Sequence, residues 1–274
     1  MQMRARLPIL ISIPHGGDAI PPEVRDRVAL TSRDIFFDTD PFTRQIYNLR
    51  EQVTVVIENP IARSIVDVNR APDDRPPANQ DGVIKTRTAL GKPVYKPGRF
   101  PDAALVNDLL ARYYYPYHRN LERLMTQHEL RLALDCHSML PVSPPTSDNS
   151  GRRRPLICVS NRGDGQGRQT ATQGPLTCPR AWLLQLADAF QQVFDGNGDD
   201  RVALNTPFLG GYISQTHARS SAIPWIQVEL NRDLYLTERY FDPQTPEIFL
   251  RRLEELRGMV VTVLERFLTV IEMR

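Results

Sequence analysis

Three short stretches of this 274-residue chain carry residues that can do metal chemistry. Ile13-Pro14-His15-Gly16-Gly17-Asp18 closes an apolar, β-branched run that begins at Leu7. Asp135-Cys136-His137 closes a second run that begins at Leu130, and Glu229 stands near the end of a third, Ile223 to Leu230. Such runs read as buried strands, and in open α/β sheets ligands gather just beyond the carboxyl ends of strands. Two histidines and a carboxylate make a three-ligand set for a catalytic zinc, with a fourth position left for water. The expected ligands are His15, Asp18 and His137, and the expected general base is Glu229. Each residue alone has an ordinary explanation: Glu229 can pair with Arg232, and His137 can be a hydrogen-bonded core histidine. It is their recurrence at three strand ends that favours the metal.

Two further groups bear on a substrate. Arg63, set between Ile61 and Ile65, can polarise a scissile carbonyl and hold the oxyanion. In Asp67-Val68-Asn69-Arg70 the Asn-Arg pair can clamp a carboxylate, since the guanidinium fork matches that group and never loses its proton.

The elements that must position these residues alternate between strand and helix. Val53 to Ile57 reads as a strand, Ser64 to Asn69 as a short extended piece, Leu156 to Ser160 and Val202 to Leu204 as later strands. Helices are expected from Pro22 to about Leu30, Phe42 to Arg50, Asp102 to about Gln127, Cys178 to Phe194, and Gln244 to the end. Residues 195–200 read as a polar, Gly-rich turn. Stretches 71–101, with a small hairpin around 83–95, and 141–154 are loop excursions that can lie over a site. The alternation predicts an α/β fold, a three-layer α/β/α sandwich with a mixed, mostly parallel sheet, in a single catalytic domain spanning 1–274.

Composition is that of an ordinary globular protein, 41% hydrophobic and 24% charged. A net charge of +2 gives no case for nucleic acid or an anionic membrane as partner. No apolar run approaches the ~18 residues that span a bilayer, and no secretory leader is apparent. The three cysteines lack zinc-knuckle spacing, and their odd number argues against a disulfide framework. A reducing, cytoplasmic setting is expected.

Ile13-Pro14-His15-Gly16-Gly17, Asp38-Thr39-Asp40, Ser64-Ile65-Val66-Asp67-Val68-Asn69-Arg70, Asp135-Cys136-His137-Ser138-Met139, Gly210-Gly211-Tyr212-Ile213 and Val228-Glu229-Leu230 occur in this order. The series resembles the N-formylglutamate amidohydrolase (deformylase) family over residues 7 to about 235. That family is similar to the zinc carboxypeptidases and to the aspartoacylase/succinylglutamate desuccinylase enzymes. The resemblance implies a phosphorylase/hydrolase-like fold, one zinc or other divalent ion on His15 and His137, and Glu229 as base. It implies Arg63 at the carbonyl and Asn69 and Arg70 at the substrate carboxylate. Asp18 stands where the carboxypeptidase relatives have Glu, with Asp38 or Asp40 competing as third ligand. Tyr212 and His217 are expected to line the substrate site. The implied reaction is hydrolysis of an N-formyl or short N-acyl amide of an acidic amino acid, as in histidine catabolism, by a monomer or small homo-oligomer. The alternatives are a carboxypeptidase-like hydrolase of a small peptide and a metal-free binding protein of the same fold.

Overall fold

A computed structural model describes residues 5–147, 149–194 and 201–272; the turn expected at 195–200 lies outside them. Its centre is a six-stranded sheet of β1 (Leu7–Ile13), β2 (Val53–Glu58), β3 (Leu132–Met139), β4 (Ile157–Ser160), β5 (Val202–Leu204) and β6 (Trp225–Asn231), in the order β2-β1-β3-β6-β4-β5. The first four strands of that order run parallel, β4 is antiparallel to β6, and β5 is parallel to β4. The sheet is therefore mixed and mostly parallel.

Side chains alternate across a strand, and the alternation separates two cores. Ile9, Ile11 and Ile13 of β1, Leu134 and Cys136 of β3, and Val228 and Leu230 of β6 face one apolar layer. That layer is completed by α5 (Arg180–Val193) and by α7 (Leu250–Glu272). Leu10, Ala133 and Trp225 face the opposite layer, formed largely by α3 (Ala103–Leu109) and α4 (Tyr115–Gln127). Continuing the alternation toward the carboxyl ends, Ser12, Asp135, His137 and Glu229 all fall on the second face. There the apolar residues give out, and the polar ones sit together on one edge of the sheet.

The expected helix 102–127 forms, with Asp102 as its cap accepting from Leu105 N at 2.9 Å. Its middle, Leu110–Tyr114, is a π-helical turn. Pro116 follows directly; it has no N–H and crowds the carbonyl four residues back, so the ladder must shift there.

Several expectations differ. Residues 22–30 make turns, because Ala29 N and Arg27 O bond to Val94 O and Lys96 N instead of continuing a helix. Only α2 (Thr43–Ile46) forms within 42–50, since Phe42 takes a left-handed backbone (φ 61°) that blocks propagation from its own position. The missed helix α1 (Ser32–Asp38) is held by a Thr31/Asp34 capping box. Residues 64–69 are turns, while the hairpin expected around 83–95 is present in minimal form, Thr86–Thr88 pairing antiparallel with Lys92–Val94 across a turn closed by Gly91 N to Thr88 O. The last helix begins at Leu250, after a two-residue pairing of Phe241–Asp242 with Glu247–Ile248.

Candidate metal and catalytic site

β1 delivers His15 through a turn that needs glycine. A Cβ on Gly17 would lie 2.3 Å from the backbone of Asn59 and Pro60, so the chain can close there only with no side chain. Asp40 arrives from the segment after α1, and its N–H donates to His15 O at 2.9 Å, which ties that segment to the end of β1. β3 delivers His137, paired in register with Glu229 of β6.

Among the described residues, His15, Asp40 and His137 present ligand atoms all within 4.8 Å of one another, and all three are buried. The second nitrogen of each imidazole is taken. His15 Nε2 lies 2.7 Å from Asp67 Oδ1, and His137 Nε2 lies 3.1 Å from Asp135 Oδ2. A carboxylate only accepts, so a neutral ring that keeps its proton on Nε2 for the acid behind it can turn its Nδ1 lone pair toward Asp40 Oδ2. Those separations are 3.7 Å for His15 and 3.1 Å for His137, and His15 Nδ1 has no hydrogen-bond partner. Three acceptors facing one another in a buried space fit a cation between them. Carboxylates behind metal-binding imidazoles fix the tautomer and strengthen the ligand.

The surroundings agree in sign. Burial raises the Asp40 carboxyl, but the adjacent imidazoles of His137 and His15 outweigh it and hold the group well below the usual range. Arg232, itself buried, holds Asp40 Oδ1 from Nη2 at 3.1 Å and donates from Nε to Ser138 Oγ at 3.2 Å. Burial likewise raises Asp67, and His15, Lys85 and Arg63 overcome it. Lys85 is almost fully buried, with Nζ 3.1 Å from Asp67 Oδ2 and a second contact to Asp81. Glu229 is different: burial is its largest influence and pushes it up to about 7. Gln227 Nε2 donates to Glu229 Oε1 at 2.9 Å and orients it.

Outside this group lies a cavity of about 580 Å³ whose wall includes Arg63, Arg70, Ser138, Arg154 and Arg232, with loop residues 79–81, 87–89, 144 and 146–147 around it. The two excursions, 71–101 and 141–154, thus cover the space beside the site. Arg63 reaches inward to Asp67 Oδ2 (3.4 Å) and Asp40 Oδ1 (3.8 Å).

A model of the N-formylglutamate amidohydrolase family matches residues 7–236. The chain belongs to that family. It is 27% identical to an N-formylglutamate deformylase of Pseudomonas aeruginosa, covering 97% of this chain and 94% of the relative. A Pseudomonas putida protein of the same name is 29% identical over 86% and 84% of the two chains. The fold is similar to a crystal structure of N-formylglutamate amidohydrolase from Ralstonia eutropha JMP134, with TM-score 0.70, 20% identity, and 95% and 94% coverage.

Within this member of the family, the residues singled out from sequence separate into two sets. His15, His137, Glu229, Arg63 and Arg70 come together at the group or at the cavity beside it. Asp18 is exposed and outside the group, and the acid beside the histidines is Asp40, one of the two alternatives to it. Asp18 fails to reach because the Gly16-Gly17 turn has already carried the chain onto Pro60, where Ala19 N bonds to Pro60 O. Asp38 is buried in the cavity wall and accepts from Ala89 N. Asn69 faces the interior: Nδ2 donates to Asp135 Oδ2 at 3.0 Å, and Oδ1 accepts from Ile213 N at 2.8 Å. Its amide holds Asp135, the partner of His137, with Nδ2 also 3.1 Å from His137 Nε2. Tyr212 and His217 begin and line α6 (Tyr212–Ser220), where both rings pack on His118. His217 is fully buried, 3.0 Å from His118 Nδ1 and stacked near Trp225. Neither belongs to the cavity wall. The sequence reading missed Lys85 and offered Arg232 only as a partner of Glu229, whereas it pairs with Asp40; a charged residue inside a buried ion network carries no local pattern that announces it.

Gly211 explains the Gly-Gly before Tyr212. A Cβ there would lie 2.4 Å from the Asn69 amide, which is locked on both sides. Gly211→Ala is expected to destabilise the fold by about 1–3 kcal/mol, the usual cost of overpacking, and to lower activity by shifting Asn69 and Asp135. Thermal melting beside a turnover assay checks both.

Proposed function

We propose that the chain hydrolyses the N-formyl amide of an acidic amino acid, N-formyl-L-glutamate foremost, with one divalent ion, zinc, held by His15 Nδ1, Asp40 and His137 Nδ1. The observation that carries the reading is the convergence of those three acceptors beside Glu229, which sits next to His137 in register. Such an ion supplies Lewis acidity and lowers the pKa of bound water toward ~7. Glu229, buried and held by Gln227, takes the attacking water's proton and passes it to the leaving amine nitrogen. The water oxygen adds to the formyl carbon, the C–N bond breaks, and formate and the free amino acid result. Arg63 donates to the carbonyl oxygen as negative charge develops there. Arg70, fixed by Asp81 through Nη2 at 2.6 Å, offers the rest of its guanidinium to the α-carboxylate. The family membership and the two deformylase relatives support this choice of substrate over a peptide.

The test is formate release from N-formyl-L-glutamate by purified protein, chelated and then reloaded with zinc. Zinc-dependent turnover is expected. Turnover that survives complete chelation, or none with any N-acyl amino acid, overturns the reading.

A further inference from the structure

The cavity holds more positive charge than the chemistry above consumes, and most of it is already matched. Arg63 is paired with Asp67 and Asp40, Arg70 and Lys85 with Asp81, and Arg232 with Asp40. Among the described residues, two arginines of the wall, Arg87 and Arg154, have no carboxylate within 4.0 Å. Arg87 is exposed at the rim, with Nη1 donating to Gly91 O. Arg154 is half-buried and rigidly presented. Its guanidinium carbon sits 4.9 Å from the centroid of the Phe208 ring, and Nε donates to Ser143 Oγ at 3.3 Å. Its backbone is anchored at both ends, Arg154 N to Pro141 O at 2.9 Å and Arg154 O to Asn231 Nδ2 at 3.4 Å. Asn231 is two residues beyond Glu229 on β6, so Arg154 is fixed relative to the catalytic carboxylate. Burial disfavours its charge, with Glu229 a partial offset, which is the condition of a cation awaiting an anion.

We propose that Arg154, stacked on Phe208, receives the second, distal carboxylate of the substrate and so selects dicarboxylic N-formyl amino acids over neutral ones. The inference rests on the reading that the site cleaves N-formyl amino acids. Arg70 and Arg154 reach the cavity from different parts of the fold, the first from the segment after β2 and the second from the end of the 141–154 loop that leads into β4. That arrangement suits two anionic ends of one small molecule. Stacking on an aromatic face and a planar fork are properties of arginine that lysine does not reproduce.

The experiment compares kcat/KM for N-formyl-L-glutamate and N-formyl-L-glutamine, which differ in one charge at nearly constant shape. The wild type is expected to prefer glutamate. In Arg154→Met the ratio should fall by roughly 10–100-fold, the scale of a lost charge-assisted bidentate contact, mainly through a higher KM for glutamate. Arg154→Lys should recover only part of the ratio, and Arg87→Gln should leave most of it. Metal content and the melting temperature of each variant are read alongside. Parallel losses on both substrates overturn the inference, because they assign Arg154 to the α-carboxylate or to the fold. A ratio that collapses in Arg87→Gln while surviving in Arg154→Met overturns it as well. A wild type that cleaves glutamine as well as glutamate removes the inference and leaves the hydrolase reading standing. A wild type that cleaves neither removes both.

Discussion

Glu229→Gln is expected to lower kcat by 10²–10⁴-fold while the protein keeps its metal. That range is what a positioned general base or acid contributes, and the proposed mechanism uses Glu229 as both within one turnover. The substitution is nearly isosteric. A glutamine carbonyl can still accept from Gln227 Nε2, so the hydrogen bond that orients the side chain survives. None of the three proposed ligand atoms belongs to Glu229, so zinc stoichiometry by elemental analysis should remain one per chain. A kcat within tenfold of wild type, or loss of the ion together with turnover, would refute the assignment. The wild-type pH profile gives an independent reading. Burial raises the Glu229 carboxyl to about 7, against an ordinary 4.5. Below its pKa the group is protonated and cannot accept a proton, so activity falls as pH drops. A divalent cation nearby favours the carboxylate and draws this limb downward. The acid limb of kcat/KM is therefore expected between the ordinary carboxylate range and about 7.

The parts of this arrangement that were legible in the sequence are those that local periodicity reports. The apolar runs leading to His15, His137 and Glu229 are strands in the structure, and their shared carboxyl edge follows from parallel pairing. Helix 102–127 was legible for the same reason, and Pro116 altered its hydrogen bonding without ending it. What escaped depends on contacts between residues distant in sequence. Asp40 was legible only as an alternative to Asp18: it follows a seven-residue helix whose polar start, Ser32-Arg33-Asp34, gives little periodic signal, and bonds to His15 O and Arg232 bring it inward. Asn69 has the residue type and neighbour of a carboxylate clamp, yet its side chain is used 66 positions away, at Asp135. His217 has the residue type of a ligand, but lies on a short polar helix that no apolar pattern announces, and is buried against His118 and Trp225. A lone histidine or amide has the same local signature whether it faces substrate or core, and the partner across the fold decides which.

Asp40 is where that distinction is sharpest, and Asp40→Asn should cost more than a ligand. The carboxylate joins His15 and His137 on one oxygen and Arg232 on the other, with Arg63 nearby. An amide placed there keeps the shape and removes the charge, so the buried Arg232 guanidinium loses its counter-ion. Breaking a buried pair by removing one partner costs about 3–5 kcal/mol, and loss of bound metal adds to it, because an ion that binds only the folded chain stabilises it by mass action. The expected result is zinc affinity lowered by at least 10²-fold in a chelator competition, a markedly lower melting temperature with and without zinc, and turnover near background. Asp18→Asn separates the two candidate acids. Asp18 is exposed, beyond the glycine turn, and outside the three-acceptor group. Its variant should bind zinc as the wild type does. Zinc lost from Asp18→Asn and retained in Asp40→Asn would return the third ligand to the turn after His15. In that case the buried Asp40–Arg232 pair would be scaffolding alone.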